Sequence, residues 1–131
     1  MTLQVSSDVL DGLLAEAAGA YPRECCGILM GKGGQITQFR PASNAHPQPE
    51  RHFEIDPQAL INAHREARDG GLQVLGYYHS HPNGLERPSA TDEASSARDG
   101  TVWAIIAAGR VTFWRDGDAG FAALPYAACA R

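Results

Sequence analysis

Gly76-Tyr77-Tyr78-His79-Ser80-His81-Pro82, with Asn83-Gly84-Leu85-Glu86-Arg87-Pro88 and Ser89-Ala90-Thr91-Asp92 behind it, is the most informative stretch of the chain. Val74–His79 reads as a strand. His79 and His81 lie two residues apart, which puts both imidazoles on one face. Pro82 stops the strand, so the pair sits at a strand end. Asn83–Pro88 is loop, and Ser89-Ala90-Thr91-Asp92 fits a capping box that opens a short helix running to about Arg98. Two imidazoles and a carboxylate are a suitable donor set for Zn²⁺, with a fourth position left for water. Helix capping alone is also a sufficient reason for Ser89 and Asp92. The two uses are compatible, because one side of a first turn can carry both residues.

Outward from this stretch, the pattern alternates between strands and helices. Thr2–Val5 is a candidate strand. Ser7 is a candidate N-cap for a helix with Val9, Leu10, Leu13, Leu14 and Ala17 on one face, ended by Tyr21-Pro22. Cys25–Met30 is an apolar run bounded by glycine, expected to be a buried strand, and Gln35–Arg40 alternates as its hairpin partner. Pro41–Arg51 reads as loop and His52–Ile55 as a short strand. Asp56-Pro57 supplies an N-cap and an N1 proline for a second helix that stops near Asp69-Gly70-Gly71. Thr101–Ala107 and Val111–Arg115 flank a turn, and Phe121–Leu124 adds a last strand. Two longer helices with at least five strands, mostly antiparallel, predict an α+β fold. The 131 residues suit one domain spanning 1–131.

Composition narrows the function. The net charge is −4, and the basic residues are Lys32 and ten scattered arginines, a poor footprint for nucleic acid. No apolar run approaches the ~20 residues of a membrane span, and Met1–Leu10 lacks a basic segment followed by an apolar core. Cys25, Cys26 and Cys129 are odd in number, and adjacent cysteines rarely pair. A reducing, cytoplasmic setting is expected. A cysteine nucleophile paired with His46, His52 or a motif histidine is the weaker reading, since Cys25 and Cys26 fall in an apolar strand. Trp103, Trp114, Tyr77 and Tyr78 read as core or groove walls.

A hydrolytic zinc site also needs a proton carrier. Candidates are Glu16, Glu24, Glu50, Glu54, Glu66, Glu86 and Glu93. Glu16 and Glu66 read as helix surface and Glu86 as loop. Glu24 stands apart, at the entry to an apolar strand, where burial raises a carboxyl pKa.

Glu24, then His79-Ser80-His81, seven residues, Ser89, two residues and Asp92 resemble the full signature of the JAMM (MPN-positive, Mov34/PAD-1) metalloprotease family. Pro22-Arg23-Glu24-Cys25-Cys26-Gly27, Asn44 and Phe53-Glu54-Ile55-Asp56-Pro57 fit as well, and the likeness extends from about Leu10 to Trp114. The resemblance implies one Zn²⁺ per chain held by His79, His81 and Asp92. It implies Glu24 as general base and then acid, and Ser89 as a donor to the oxyanion. The fold implied is an α/β sandwich with a curved, mostly antiparallel sheet flanked by helices, like that of cytidine deaminase. Deaminase chemistry is unsupported, because Pro-Cys-x-x-Cys is absent.

The resemblance also implies cleavage of the amide after the C-terminal Gly-Gly of a ubiquitin-like protein. The chain is close to a bare core, which is similar to small prokaryotic members acting on a ubiquitin-like sulfur carrier, some of which release cysteine. An extended tail is then expected to pair with a strand edge near His79. The alternative is a non-catalytic MPN scaffold in a protein assembly; such modules lose ligands, whereas all five positions are filled here.

Overall fold

A computed structural model describes residues 2–130; Met1 and Arg131, the ends of the expected 1–131 span, lie outside them. The strands are β1 (Leu3–Ser6), β2 (Cys26–Lys32), β3 (Gln35–Ala42), β4 (Gln73–Ser80), β5 (Val102–Ala107), β6 (Arg110–Gly117), β7 (Gly120–Ala123) and β8 (Tyr126–Cys129). The helices are α1 (Ser7–Ala20), α2 (Pro57–Arg68) and α3 (Ala90–Ser95). All strands join one sheet in the order β7-β6-β5-β4-β2-β3-β1-β8. The pairs β2–β3, β2–β4, β5–β6 and β6–β7 are antiparallel, whereas β1–β3, β1–β8 and β4–β5 are parallel. The sheet is thus mixed with an antiparallel majority, as expected of the α+β class.

Its two edge strands are consecutive in sequence. Only Leu124 and Pro125 separate β7 from β8, so the sheet has to curl until its edges approach each other. Tyr126 marks that approach: its ring meets Phe113 edge-on and its hydroxyl donates to the Val111 carbonyl. α1 packs against β1, β3, β5, β6 and β8 and fills the hollow of the curl. Val9 and Leu13 are its buried stripe, meeting Val5, Leu29, Ile36 and Phe113. α2 covers the other face over β2, β3 and β4, with Ala63 against Ile28 and Met30. Alternation along β4 therefore sends Tyr78 into the α1 core and Tyr77 toward α2.

Several local expectations change. Ser6, not Ser7, occupies the N-cap of α1, without a side-chain cap bond, because the Ser7 hydroxyl donates to the Cys129 carbonyl on β8. His52–Ile55 is not a strand beyond one bridge between Asn44 and Ile55. The Asn44 side chain takes two of its backbone groups, donating to His52 O and accepting from Glu54 N, so only a short bridge remains. α3 stops at Ser95 rather than Arg98. β8, a short and largely exposed strand, carries no alternation that reveals it in sequence. Most consequential, β4 is an inner strand bonded to β2 and β5 on its two sides. Among the described residues neither side of β4 is free beside His79, so the expected tail cannot pair with β4 itself.

β4 and β5 approach closely at Gly76. A Cβ built there would lie 1.7 Å from the Val102 carbonyl oxygen, whereas one at Gly19 on α1 would meet nothing within 4 Å. Gly76→Ala is expected to lose about 2–3 kcal/mol by overpacking against backbone. Gly19→Ala is expected to be neutral or slightly stabilising. Denaturant titration of both variants checks this; equal stabilities would contradict the close approach.

Candidate metal centre

The site begins with strand register. β2 and β4 pair with Cys26 opposite His79 and Gly27 opposite Tyr78. The ladder continues past the strand ends: Ser80 N donates to Cys25 O at 3.0 Å, and Cys25 N donates to Ser80 Oγ at 2.8 Å. Counting one step further puts Glu24 opposite His81. On the other side, His81 N donates to Ile106 O at 2.9 Å and prolongs the β4–β5 pairing. Both imidazoles are thereby fixed to inner backbone rather than to a mobile loop.

His79, His81 and Asp92 converge at this strand end. His79 Nε2 and His81 Nε2 are 3.0 Å apart, and each lies 3.1 Å from Asp92 Oδ2. In a tetrahedral zinc site with bonds of about 2.0–2.1 Å, ligand atoms sit about 3.3 Å apart. The triangle fits that size, and all three side chains are buried. His81 Nδ1 faces the Leu85 carbonyl at 2.8 Å, which fixes it as the donor and leaves the Nε2 lone pair pointing inward in the neutral ring. His79 Nδ1 is buried with no hydrogen-bond partner among the described residues. His79 is stacked on Phe53 at 4.2 Å between ring centroids and met edge-on by Trp103 at 5.6 Å, so its surroundings are dry. The donor set and spacing therefore fit a divalent cation.

Asp92 is held by the predicted capping box. Ser89 Oγ accepts from Asp92 N at 3.0 Å, and Asp92 Oδ2 accepts from Ser89 N at 2.9 Å. The same Oδ2 faces both histidines. Burial alone would raise the Asp92 carboxyl, but the two imidazoles and the Ser89 N–H outweigh it and hold it well below the usual range. Burial lowers His79, against the pull of Asp92. Burial also opposes the charge on His81, yet Asp92, the Leu85 carbonyl and Glu24 together raise it.

Glu24 is 7% exposed, and its side chain opens into a cavity of about 860 Å³ that also meets His81, Ser89 and Asp92. Burial pushes its carboxyl up to about 7; the His81 charge opposes this and Asp92 adds to it. The other acidic candidates divide. Glu50 and Glu54 line the same cavity. Glu16 lies across the sheet, accepting from the Tyr78 hydroxyl, and Glu66 pairs with Arg40. Glu86 and Glu93 are exposed. Burial pushes the Cys25 and Cys26 thiols up to about 11 and about 12, which leaves them protonated hydrophobes.

Asn44, placed by the sequence in the loop Pro41–Arg51, does more than a loop position requires. Its Nδ2 donates to Glu24 O at 3.0 Å and to His52 O at 2.9 Å. Its Oδ1 accepts from His46 N at 3.1 Å and Glu54 N at 3.0 Å. One amide thus ties the loop that carries Phe53 to the backbone of Glu24. An asparagine in a loop is the available sequence signal, and it does not specify partners so distant.

The chain is similar to several known proteins. A desampylase of Haloferax volcanii is 33% identical over 117 residues, covering 84% of each chain. Tail tip assembly protein K of Escherichia phage N15 is 32% identical over 109 residues, 83% of this chain and 40% of that protein. A Thermus thermophilus protein named "Probable TtuB-protein conjugate cleaving protease" is 33% identical over 92 residues, 70% of this chain and 62% of that one. The chain thus spans less than two thirds of the phage and Thermus proteins. A Desulfitobacterium hafniense protein solved in solution superposes with a TM-score of 0.86 at 25% identity, covering 99% and 94% of the two chains. A JAB1/MPN domain protein of Archaeoglobus fulgidus shares the fold, with a TM-score of 0.64 at 20% identity and coverage of 95% and 98%. The family of prokaryotic homologs of the JAB domain matches residues 6–117, and the chain belongs to that family.

Proposed function

We propose that this protein is a zinc-dependent peptidase that hydrolyses the amide bond after the C-terminal Gly-Gly of a ubiquitin-like sulfur carrier protein. The observation that carries this reading is the buried triangle of two imidazole nitrogens and one carboxylate oxygen with Glu24 across the strand register. Its relatives named for conjugate cleavage support the substrate class. A non-catalytic scaffold has no need of such a triangle beside a raised carboxyl.

His79 Nε2, His81 Nε2 and Asp92 Oδ2 would hold one Zn²⁺. A zinc ion in such a site supplies Lewis acidity and lowers the pKa of water from 15.7 to about 7. The remaining work falls to the chain. Glu24 takes a proton from the attacking water and returns it to the leaving amine, and the burial that raises its carboxyl favours taking up that proton. Ser89 keeps its capping role through an oxygen lone pair, which leaves its hydroxyl proton free to donate to the developing oxyanion. Phe53 and Trp103 exclude water behind His79. The carrier tail reaches the site through the cavity lined by His52, Phe53, Pro82 and Leu85 rather than by pairing with β4. Side-chain-free residues pass such walls with least obstruction.

Glu24→Gln is expected to retain zinc while losing roughly 10²–10⁴ in kcat. Metal analysis beside steady-state kinetics checks this; a zinc-loaded variant with near-normal kcat would move the proton transfer to another group. The same substitution has a separate signature in chelator-treated protein. The folded pKa of about 7 lies above the ordinary 4.5, so the unfolded chain ionises first as pH rises. Wild-type stability should therefore fall between about pH 4.5 and about pH 7, a loss that Gln does not suffer. Melting curves should show Glu24→Gln gaining on wild type toward about pH 8 and the advantage vanishing near about pH 4.5. A pH-independent difference would contradict the raised carboxyl.

The substrate is tested by mass spectrometry. Carrier–amino-acid and carrier–lysine conjugates should be cleaved after the second glycine, and a bulky residue at either tail glycine should abolish most turnover. Linked di-ubiquitin should be a poor substrate. Rapid cleavage of di-ubiquitin with no action on carrier conjugates would overturn the assignment.

A further inference from the structure

α3 carries the oxygen ligand of the proposed site, yet apolar packing does not hold α3 in place. Asp92 is its sole buried residue. Six residues are far too few for a helix to persist alone. Its position depends on polar tethers at its two ends. The Ser89–Asp92 capping box is the first.

Asp116 on β6 is the second, and its carboxylate is fully buried. Its Oδ1 accepts from Ser96 Oγ at 2.7 Å, and its Oδ2 accepts from Arg98 N at 3.1 Å. Its main chain is engaged with the same segment: Asp116 N donates to Thr101 O at 2.9 Å, and Gly100 N donates to Asp116 O at 2.7 Å. All of these bonds land on residues 96–101, the run that leaves α3. This explains why the helix stops at Ser95: Ser96 turns to extended backbone and Arg98 takes a left-handed φ of 52°, a conformation unfavourable for arginine unless its surroundings impose it. A buried carboxylate is costly unless its oxygens are satisfied, and among the described residues they are satisfied by the segment behind α3. β6 holds the loop in front of α3 as well, because Thr112 Oγ1 donates to Glu86 O at 2.9 Å.

We propose that Asp116 is a positioning residue for the metal: it anchors the C-terminal end of α3 and thereby sets Asp92 Oδ2 at its distance from His79 and His81. This rests on the reading that those three residues hold zinc. The test compares Asp116→Asn, Ser96→Ala, Ser96→Thr and Asp92→Ala with wild type. Zinc affinity is read by chelator competition, coordination by the visible spectrum of the cobalt-substituted protein, and folding by melting. Asp116→Asn leaves one acceptor oxygen for two donors, so either Arg98 N loses its acceptor or the Ser96 hydroxyl must reverse its bond, and zinc binding should weaken by about tenfold or more. Its cobalt bands should shift as well. Ser96→Ala should weaken zinc severalfold, and Ser96→Thr should restore it. A lowered melting temperature with wild-type affinity and cobalt spectrum in folded Asp116→Asn would reduce Asp116 to a structural role and overturn the inference. Should Asp116→Asn fail to fold, wild-type values in Ser96→Ala would overturn it equally. Asp92→Ala separates the two claims: zinc affinity unchanged there sinks the ligand reading itself, whereas loss there with retention in the Asp116 and Ser96 variants sinks only the positioning role.

Discussion

The pairing of β2 with β4 is the constraint on which the site depends. Cys26 faces His79, so Cys25 faces Ser80 and Glu24 faces His81. The reciprocal bonds between Cys25 and Ser80 seal that register beyond the last regular pair. A slip of one residue would send Glu24 to the α1 side of the sheet and leave its carboxyl among Leu13, Leu29 and Tyr78. Small residues make the pairing possible. Gly27 admits the Tyr78 hydroxyl and the Arg40 carbonyl, and Gly76 admits the Val102 carbonyl. The buried Tyr78–Glu16 hydrogen bond and the aliphatic core around it then fix β4 from the face opposite the histidines.

Against this rigid strand, the proposed oxygen ligand Asp92 is held differently. His79 and His81 belong to an inner strand, while Asp92 belongs to a six-residue helix held by hydrogen bonds at both ends. Such a site concentrates its adjustable part in one carboxylate. Electrostatics favours the arrangement. With both imidazoles deprotonated, as metal ligands must be, the set carries the single negative charge of Asp92 beside the apolar walls of Phe53 and Trp103, and a divalent cation offsets that charge. Asn44 supplies the matching restraint on the other side, tying the loop that bears Phe53 to the Glu24 carbonyl.

The parts of this account that were legible in sequence are the local ones. His-x-His before a proline, a capping box at Ser89, and Asp56-Pro57 at a helix start each express short-range geometry, and the structure bears out those elements. What was illegible depends on distant partners. Ser7 looks like a cap until β8 arrives beside β1 and takes its hydroxyl. His52–Ile55 has the residues of a strand, but the Asn44 side chain occupies its backbone groups. β4 could be an edge or an inner strand from its sequence alone; the pairing order makes it inner and removes the tail-docking edge. Asp116, near the end of β6, gives no hint in sequence that both its oxygens serve a loop beginning at Ser96.

X-ray absorption at the zinc edge of the protein loaded with one equivalent distinguishes the proposed ligands His79, His81 and Asp92 from a cysteine site. The expected first shell is nitrogen and oxygen at about 2.0–2.1 Å, with the outer-shell scattering of two imidazoles, lost in His79→Ala. A sulfur shell at about 2.3 Å, or an imidazole pattern that survives His79→Ala, would rule those ligands out.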